Sequence, residues 1–191
     1  MRRLTVLATV LAATALAPAT VPPAEAAPST SQASTARCQR TLVSYPVLHP
    51  GDRRPAVRTL QCVLNDAGWG PVVVDGFYGA QTRQAVRRVE AGFEGPSPSP
   101  GRINNGFWVL LFGQQLPDRN LQLGQHGPAV RTLQRALRAA GATIVVDAQF
   151  GPQTRSVVKA YQRRHHFAAT GVVNANTRFI LAMGGVLRQQ N

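Results

Sequence analysis

Acidic side chains are scarce in this sequence, with 8 Asp and Glu against 21 Lys and Arg, a formal charge of +13. Lysine is scarcer still: Lys159 stands alone and every other basic residue is Arg. So few carboxylates leave little material for the paired acids of glycoside cleavage, and Glu90 and Glu94 simply stand four apart on or just past one helix. The four histidines, His49, His126, His165 and His166, come without an HExxH pattern or a comparable ligand set, so neither a metal site nor zinc hydrolysis is expected. Catalysis is not expected, and no cofactor is called for. Long apolar runs are also missing after the first 17 residues, so no stable membrane insertion is expected once those are removed.

That one apolar run, Leu4 to Ala17, follows a basic start at Met1-Arg2-Arg3 and precedes a small-residue exit at Ala24-Glu25-Ala26. This is the layout of a secretory signal peptide over residues 1–26, with cleavage after Ala26. A retained anchor is the competing reading, but 14 residues fall short of the roughly 20 that a bilayer span takes. No Cys follows closely, which argues against a lipid anchor. Residues 27–37 are Ser, Thr, Ala, Pro, Arg and Gln without apolar periodicity and read as a flexible linker. The expected mature protein keeps 19 basic and 7 acidic side chains and is secreted, extracellular or wall-associated.

A balance this basic points to an anionic partner. Nucleic acid would come first for a cytosolic protein, but export, scattered Arg residues and the lack of any nucleic-acid motif argue against it. Outside a bacterial membrane the abundant polyanions are wall polymers and lipid head groups. The two cysteines of an exported chain read most simply as one disulfide, Cys38 to Cys62, which would pin an N-terminal arm onto the first helix. Closing that loop should stabilise the fold by about 3 kcal/mol by the chain-entropy argument.

Pro55-Ala56-Val57-Arg58-Thr59-Leu60-Gln61 recurs letter for letter as Pro128 to Gln134. Around it Leu48, Gly51 and Gly68 answer to Leu121, Gly124 and Gly141. After a one-residue deletion Asp75, Gly79, Thr82, Arg83 and Val86 answer to Asp147, Gly151, Thr154, Arg155 and Val158, and a further shift aligns Gly101, Asn104 and Leu111 with Gly171, Asn174 and Leu181. The chain is a duplication, divided into residues 38–116 and 117–187. Each copy is near the lower size limit for an independent core. Arg135 replaces Cys62 in the second copy, which must then hold together by packing alone.

Proline in the heptapeptide suits the first turn of a helix, and Val130, Leu133 and Leu137 fall at i, i+3 and i+7, with Gly141 ending the run. The β-branched runs Val72-Val73-Val74 and Ile144-Val145-Val146 are too short for a sheet and read as extended links. A second helix opens at Gly79 or Gly151, with Val158, Tyr161 and His165 on its inner stripe in the later copy. A third follows Asn104 or Asn174. The expected class is mainly α, two small three-helix modules in tandem.

Taken together, the motifs LxxGxxGPAVRxLQxxLxxAG, VDxxFGPQTRxxVxxYQ and TGVVxxxT resemble the peptidoglycan-binding domain family found beside wall hydrolases and in secreted actinobacterial proteins. Leu121 to Leu181 follows the pattern almost throughout. Leu48 to Leu111 keeps its first two thirds, then departs through the Pro- and Ser-rich stretch between Phe93 and Ile103, and Phe107 stands where the second copy has Thr177. The resemblance implies a non-catalytic module that docks on peptidoglycan through a shallow surface at the Asp-Gly turn and the start of the second helix, and a monomer is expected. The residues it places there are Asp75, Tyr78, Thr82 and Arg83, and Asp147, Phe150, Thr154 and Arg155. Each has a plainer reading. The aspartates can bond their own turn, the threonines can cap a helix, the arginines can be solvated, and Tyr78 and Phe150 are read as half core and half platform. Trp69 and Trp108 are either local packing or an extra sugar platform. A wall-anchored interaction protein, or an accessory subunit of a wall hydrolase, is the alternative function.

Overall fold

The computed structural model describes residues 38–92 and 100–188. The expected signal peptide and linker, and residues 93–99 of the insertion, lie outside the described residues. Among the described residues six helices follow in order: α1 Pro55–Asp66, α2 Ala80–Glu90, α3 Asn105–Gly113, α4 Pro128–Ala139, α5 Pro152–Arg164 and α6 Ala175–Ala182. The β-branched runs are extended links, as expected, and pairing among the described residues is limited to isolated bridges such as Leu48 with Ile103 and Leu121 with Val173. The fold is mainly α, with three helices per copy.

Local chemistry sets the helix limits. Proline opens α1, α4 and α5, where its missing N–H would have had no partner. The side chains of Asn104 and Asn174 cap α3 and α6 by accepting from the N–H of Phe107 and Thr177. Gly68 and Gly141, at φ +80° and +96°, end α1 and α4. Each helix buries its stripe: Val57, Leu60 and Leu64 from α1, and Val130, Leu133 and Leu137 from α4, are all at 1% exposure or less.

The copies are not independent bodies. All described residues fall in one compact unit, and α3 lies against both α4 and α6. Helix α3 is apolar around most of its girth, the signature of a helix enclosed on all sides, and Trp108 through Gly113 are buried. Trp108 is packing rather than a platform: its ring lies against Tyr45 and Phe112, and its indole N–H donates to the Pro46 carbonyl at 2.9 Å. Two glycines let the backbones touch. A Cβ on Gly113 would stand 2.4 Å from the Leu181 carbonyl, and one on Gly184 would stand 2.7 Å from the Gly106 oxygen.

Residues 38–46 form an arm that binds both copies. Cys38 is bonded to Cys62, Arg40 forms an ion pair with Asp66, and the Thr59 hydroxyl donates to the Gln39 carbonyl at 2.7 Å. Arg135, at the position of Cys62 in the repeat, donates to the Thr41 hydroxyl at 2.8 Å, and Arg138 donates to the Leu42 carbonyl at 2.9 Å. The expectation that the second copy holds together by packing alone is therefore corrected. One equivalent position grips the arm by a covalent bond and the other by a guanidinium.

Gly113→Ala should destabilise the protein by about 2 kcal/mol or more in chemical denaturation, because backbone cannot yield as a side chain does. Cys38→Ser with Cys62→Ser should cost about 3 kcal/mol in the same assay, and should raise hydrogen exchange in the arm more than in α5.

Candidate functional site

Each Asp-Gly turn is held from below by a glutamine of the preceding helix. The Gln61 amide nitrogen donates to Asp75 Oδ1 at 2.7 Å, to the Phe77 carbonyl at 3.0 Å and to the Thr82 hydroxyl at 3.1 Å, while its oxygen accepts the Gly76 N–H at 2.9 Å. Gln134 repeats the set on Asp147, the Gln149 carbonyl, Thr154 and the Ala148 N–H. Both glutamines are 1% exposed. A buried amide left without partners would cost about 1–3 kcal/mol per group, so the turn is fixed in one shape.

A third staple lies between α5 and α6. Gln162 donates to Thr170, to the Val172 carbonyl and to Thr177, and accepts from the Gly171 N–H. The fourth position, between α2 and α3, is altered. Glu90 accepts the Gly101 N–H at 2.8 Å, but Pro100 and Phe107 occupy the places of Thr170 and Thr177. Neither offers the hydroxyl that a glutamine would need. The residue at the crest of every turn has a left-handed backbone: Gly76 at φ +79°, Gly101 at +74°, Ala148 at +66° and Gly171 at +76°.

These bonds decide which expected contact residues reach the surface. Thr82 and Thr154 are 1% and 2% exposed. They stand inside α2 and α5 as partners of the glutamines, so both the ligand-contact and the helix-cap readings are corrected; Gly79 and Gly151 hold the N-cap positions. Tyr78 and Phe150 are 0% and 1% exposed, which corrects their expected part as platforms. The Tyr78 hydroxyl donates to the Gly101 carbonyl at 2.7 Å; burial, with Glu90 nearby, pushes its pKa well up. Asp75, Arg83, Asp147 and Arg155 are exposed. The surface thus keeps one aspartate and one arginine per copy from the expected set.

Burial pushes the Asp75 carboxyl up, but the Phe77 N–H and the Gln61 amide outweigh it and leave the group below the ordinary range. For Asp147 the Gln149 N–H leads, then the Gln134 amide, and the result is again downward. In both aspartates only Oδ1 is engaged among the described residues. Oδ2 remains available to an outside donor.

Around the first turn lies a shallow depression formed by Val73, Asp75, Phe77 and Gln81. Beside it Arg53, Arg54 and Arg58 face the same turn, with the Arg53 guanidinium 3.8 Å over the Phe77 ring. The second copy differs here: His126 and Gln149 replace Arg53 and Phe77, and its depression is lined by Leu123, Gln125, Gln149 and Pro152. Val73 and Val145 are 60% and 56% exposed. Sequence reasoning missed the glutamines and Arg53 with Phe77. The signal was in hand, since the repeated heptapeptide ends on a polar residue that falls on the buried side of the helix.

A group whose pKa is lowered by folding adds stability above its ordinary pKa, and that stability is lost as pH falls through the depressed value. Asp147→Asn should therefore be less stable than wild type at pH 6, and the difference should shrink as pH falls below the ordinary carboxylate range. A difference that stays constant with pH would mean the carboxylate charge plays no part in the turn.

No curated protein and no solved structure matches the chain. The peptidoglycan binding domain family matches it twice, over residues 53–98 and 126–181, which together exceed half its length and take in the turns at Asp75 and Asp147. The chain belongs to the peptidoglycan binding domain family and carries two copies of that domain.

Proposed function

We propose that this chain is a secreted, non-catalytic cell-wall binding protein whose modules, residues 38–116 and 117–187, both contact peptidoglycan at the turn before the second helix. The observation that carries the reading is the double family match over turns that are held by buried amides and open on their outer side. A glycan with short acidic peptides offers hydroxyls, amides and carboxylates. Asp75 and Asp147 would accept sugar hydroxyls through Oδ2, and Arg83 and Arg155 would meet peptide carboxylates, for which the guanidinium fork is suited. The exposed valines would lie under an apolar sugar face. Rigid turns lower the ordering cost of a weak contact. Two sites on one body that meet the same polymer gain avidity through effective concentration.

Co-sedimentation of residues 27–191 with purified sacculi, stripped of phosphate-containing polymers, tests this at low and high salt. Binding should survive high salt, and Asp75→Asn with Asp147→Asn together with Arg83→Gln and Arg155→Gln should lower it about tenfold or more while the protein stays folded. Binding that vanishes with salt, or that the fourfold variant leaves intact, would sink the proposed site.

A further inference from the structure

Six carboxylates lie among the described residues, and all are engaged within the protein. Asp52, Asp66 and Asp118 pair with Arg54, Arg40 and Arg178. Asp75 and Asp147 bind the staple glutamines, and Glu90 accepts the Gly101 N–H. Helix α5 has no acidic residue, yet it carries Arg155, Lys159 and Arg163 at i, i+4 and i+8. That spacing sets them in a row about 12 Å long on one face. Like charges at i, i+4 destabilise a helix. The helix dipole favours Arg163 in the last turn, but it gives no reason for Arg155 and Lys159 further back.

Packing holds part of the row in place. A Cβ on Gly171 would stand 2.8 Å from Arg155 Cγ and 3.2 Å from Lys159 Cε, so both side chains lie across that turn rather than moving freely. In the first copy Arg83 and Arg87 occupy the positions of Arg155 and Lys159, while Ala91 stands at that of Arg163. The second copy extends the row by one charge.

We infer that Lys159 and Arg163, which continue the row from Arg155 of the proposed peptidoglycan contact, form a docking track for a linear phosphodiester polymer of the cell envelope. A lipid surface would call for large apolar side chains beside the cations, and single-stranded nucleic acid for exposed rings on which bases stack. Helix α5 exposes neither: Tyr161 is buried, and the residues beside the row are Ser156 and Ala160. Adjacent cations about 6 Å apart instead suit a flexible polymer whose charges recur along its backbone. Lysine and arginine both serve as phosphate partners.

The test is titration of residues 27–191 with purified poly(glycerol phosphate) over a range of salt. Lys159→Gln with Arg163→Gln should weaken binding about tenfold and lower the slope of log K against log salt by about 1.5. Arg119→Gln with Arg131→Gln removes the same charge elsewhere and should change binding less than twofold. Sedimentation of the α5 variant with polymer-free sacculi should match wild type, which keeps this outcome apart from that of the proposed peptidoglycan site. Equal losses in the two double variants would reduce the effect to net charge. Tighter binding to vesicles with one third anionic lipid, to a single-stranded oligonucleotide or to polyglutamate would also overturn the assignment.

Discussion

A buried side-chain amide governs three of the four turns that join the helices within the two copies. Gln61, Gln134 and Gln162 each sit inside a helix interface where water cannot serve them, and each meets the same set: a turn N–H, a turn carbonyl, a side chain at the turn and a threonine in the next helix. Any other turn conformation would strand several of these groups at once. One interaction therefore sets the turn, the entry of the following helix and the direction of the aspartate above it. It also gives the duplication a finer grain, since each module is two helix-turn-helix units built on one plan.

The altered unit shows what the plan tolerates. Between α2 and α3 the amide donor is gone with Glu90, and its acceptors are gone with Pro100 and Phe107. These are matched losses: a carboxylate has no N–H to satisfy, so the missing hydroxyls leave no amide proton stranded. The Tyr78 hydroxyl bonds the Gly101 carbonyl in that unit, and the corresponding Phe150 has no such group. Freed of the staple, α3 is anchored by apolar burial and by glycine contacts with the second copy. The first copy gave up part of the shared pattern and became the joint between the two.

Much of this was legible in the sequence because it was written twice. The heptapeptide gave α1 and α4, the proline and glycine limits followed from backbone chemistry, and the β-branched runs were too short for a sheet, as the structure has them. The cysteine pair followed from the count of cysteines and the expectation of export. The burial of Thr82, Thr154, Tyr78 and Phe150 was not legible. Each follows a turn at a place where solvent-facing and core-facing residues alternate, and the glutamines that draw the threonines inward lie about 20 residues earlier. The union of the copies was hidden for a different reason. Arg135 and Arg138 look like surface charges, and only the path of the arm past Thr41 and Leu42 shows that they are bonded within the protein.

That union bears on how two weak sites would act together. Modules on a flexible tether sample many separations, and their effective concentration falls as the tether lengthens. Here α3, the arm and the glycine contacts allow no such sampling, so the two turns keep one spacing and one relative direction. A fixed pair gains more than a tethered pair on a polymer whose repeat fits that spacing, and gains nothing on one whose repeat does not. Loosening the joint, rather than altering either turn, would then change which wall architecture the protein prefers while leaving its affinity for a single short fragment unchanged.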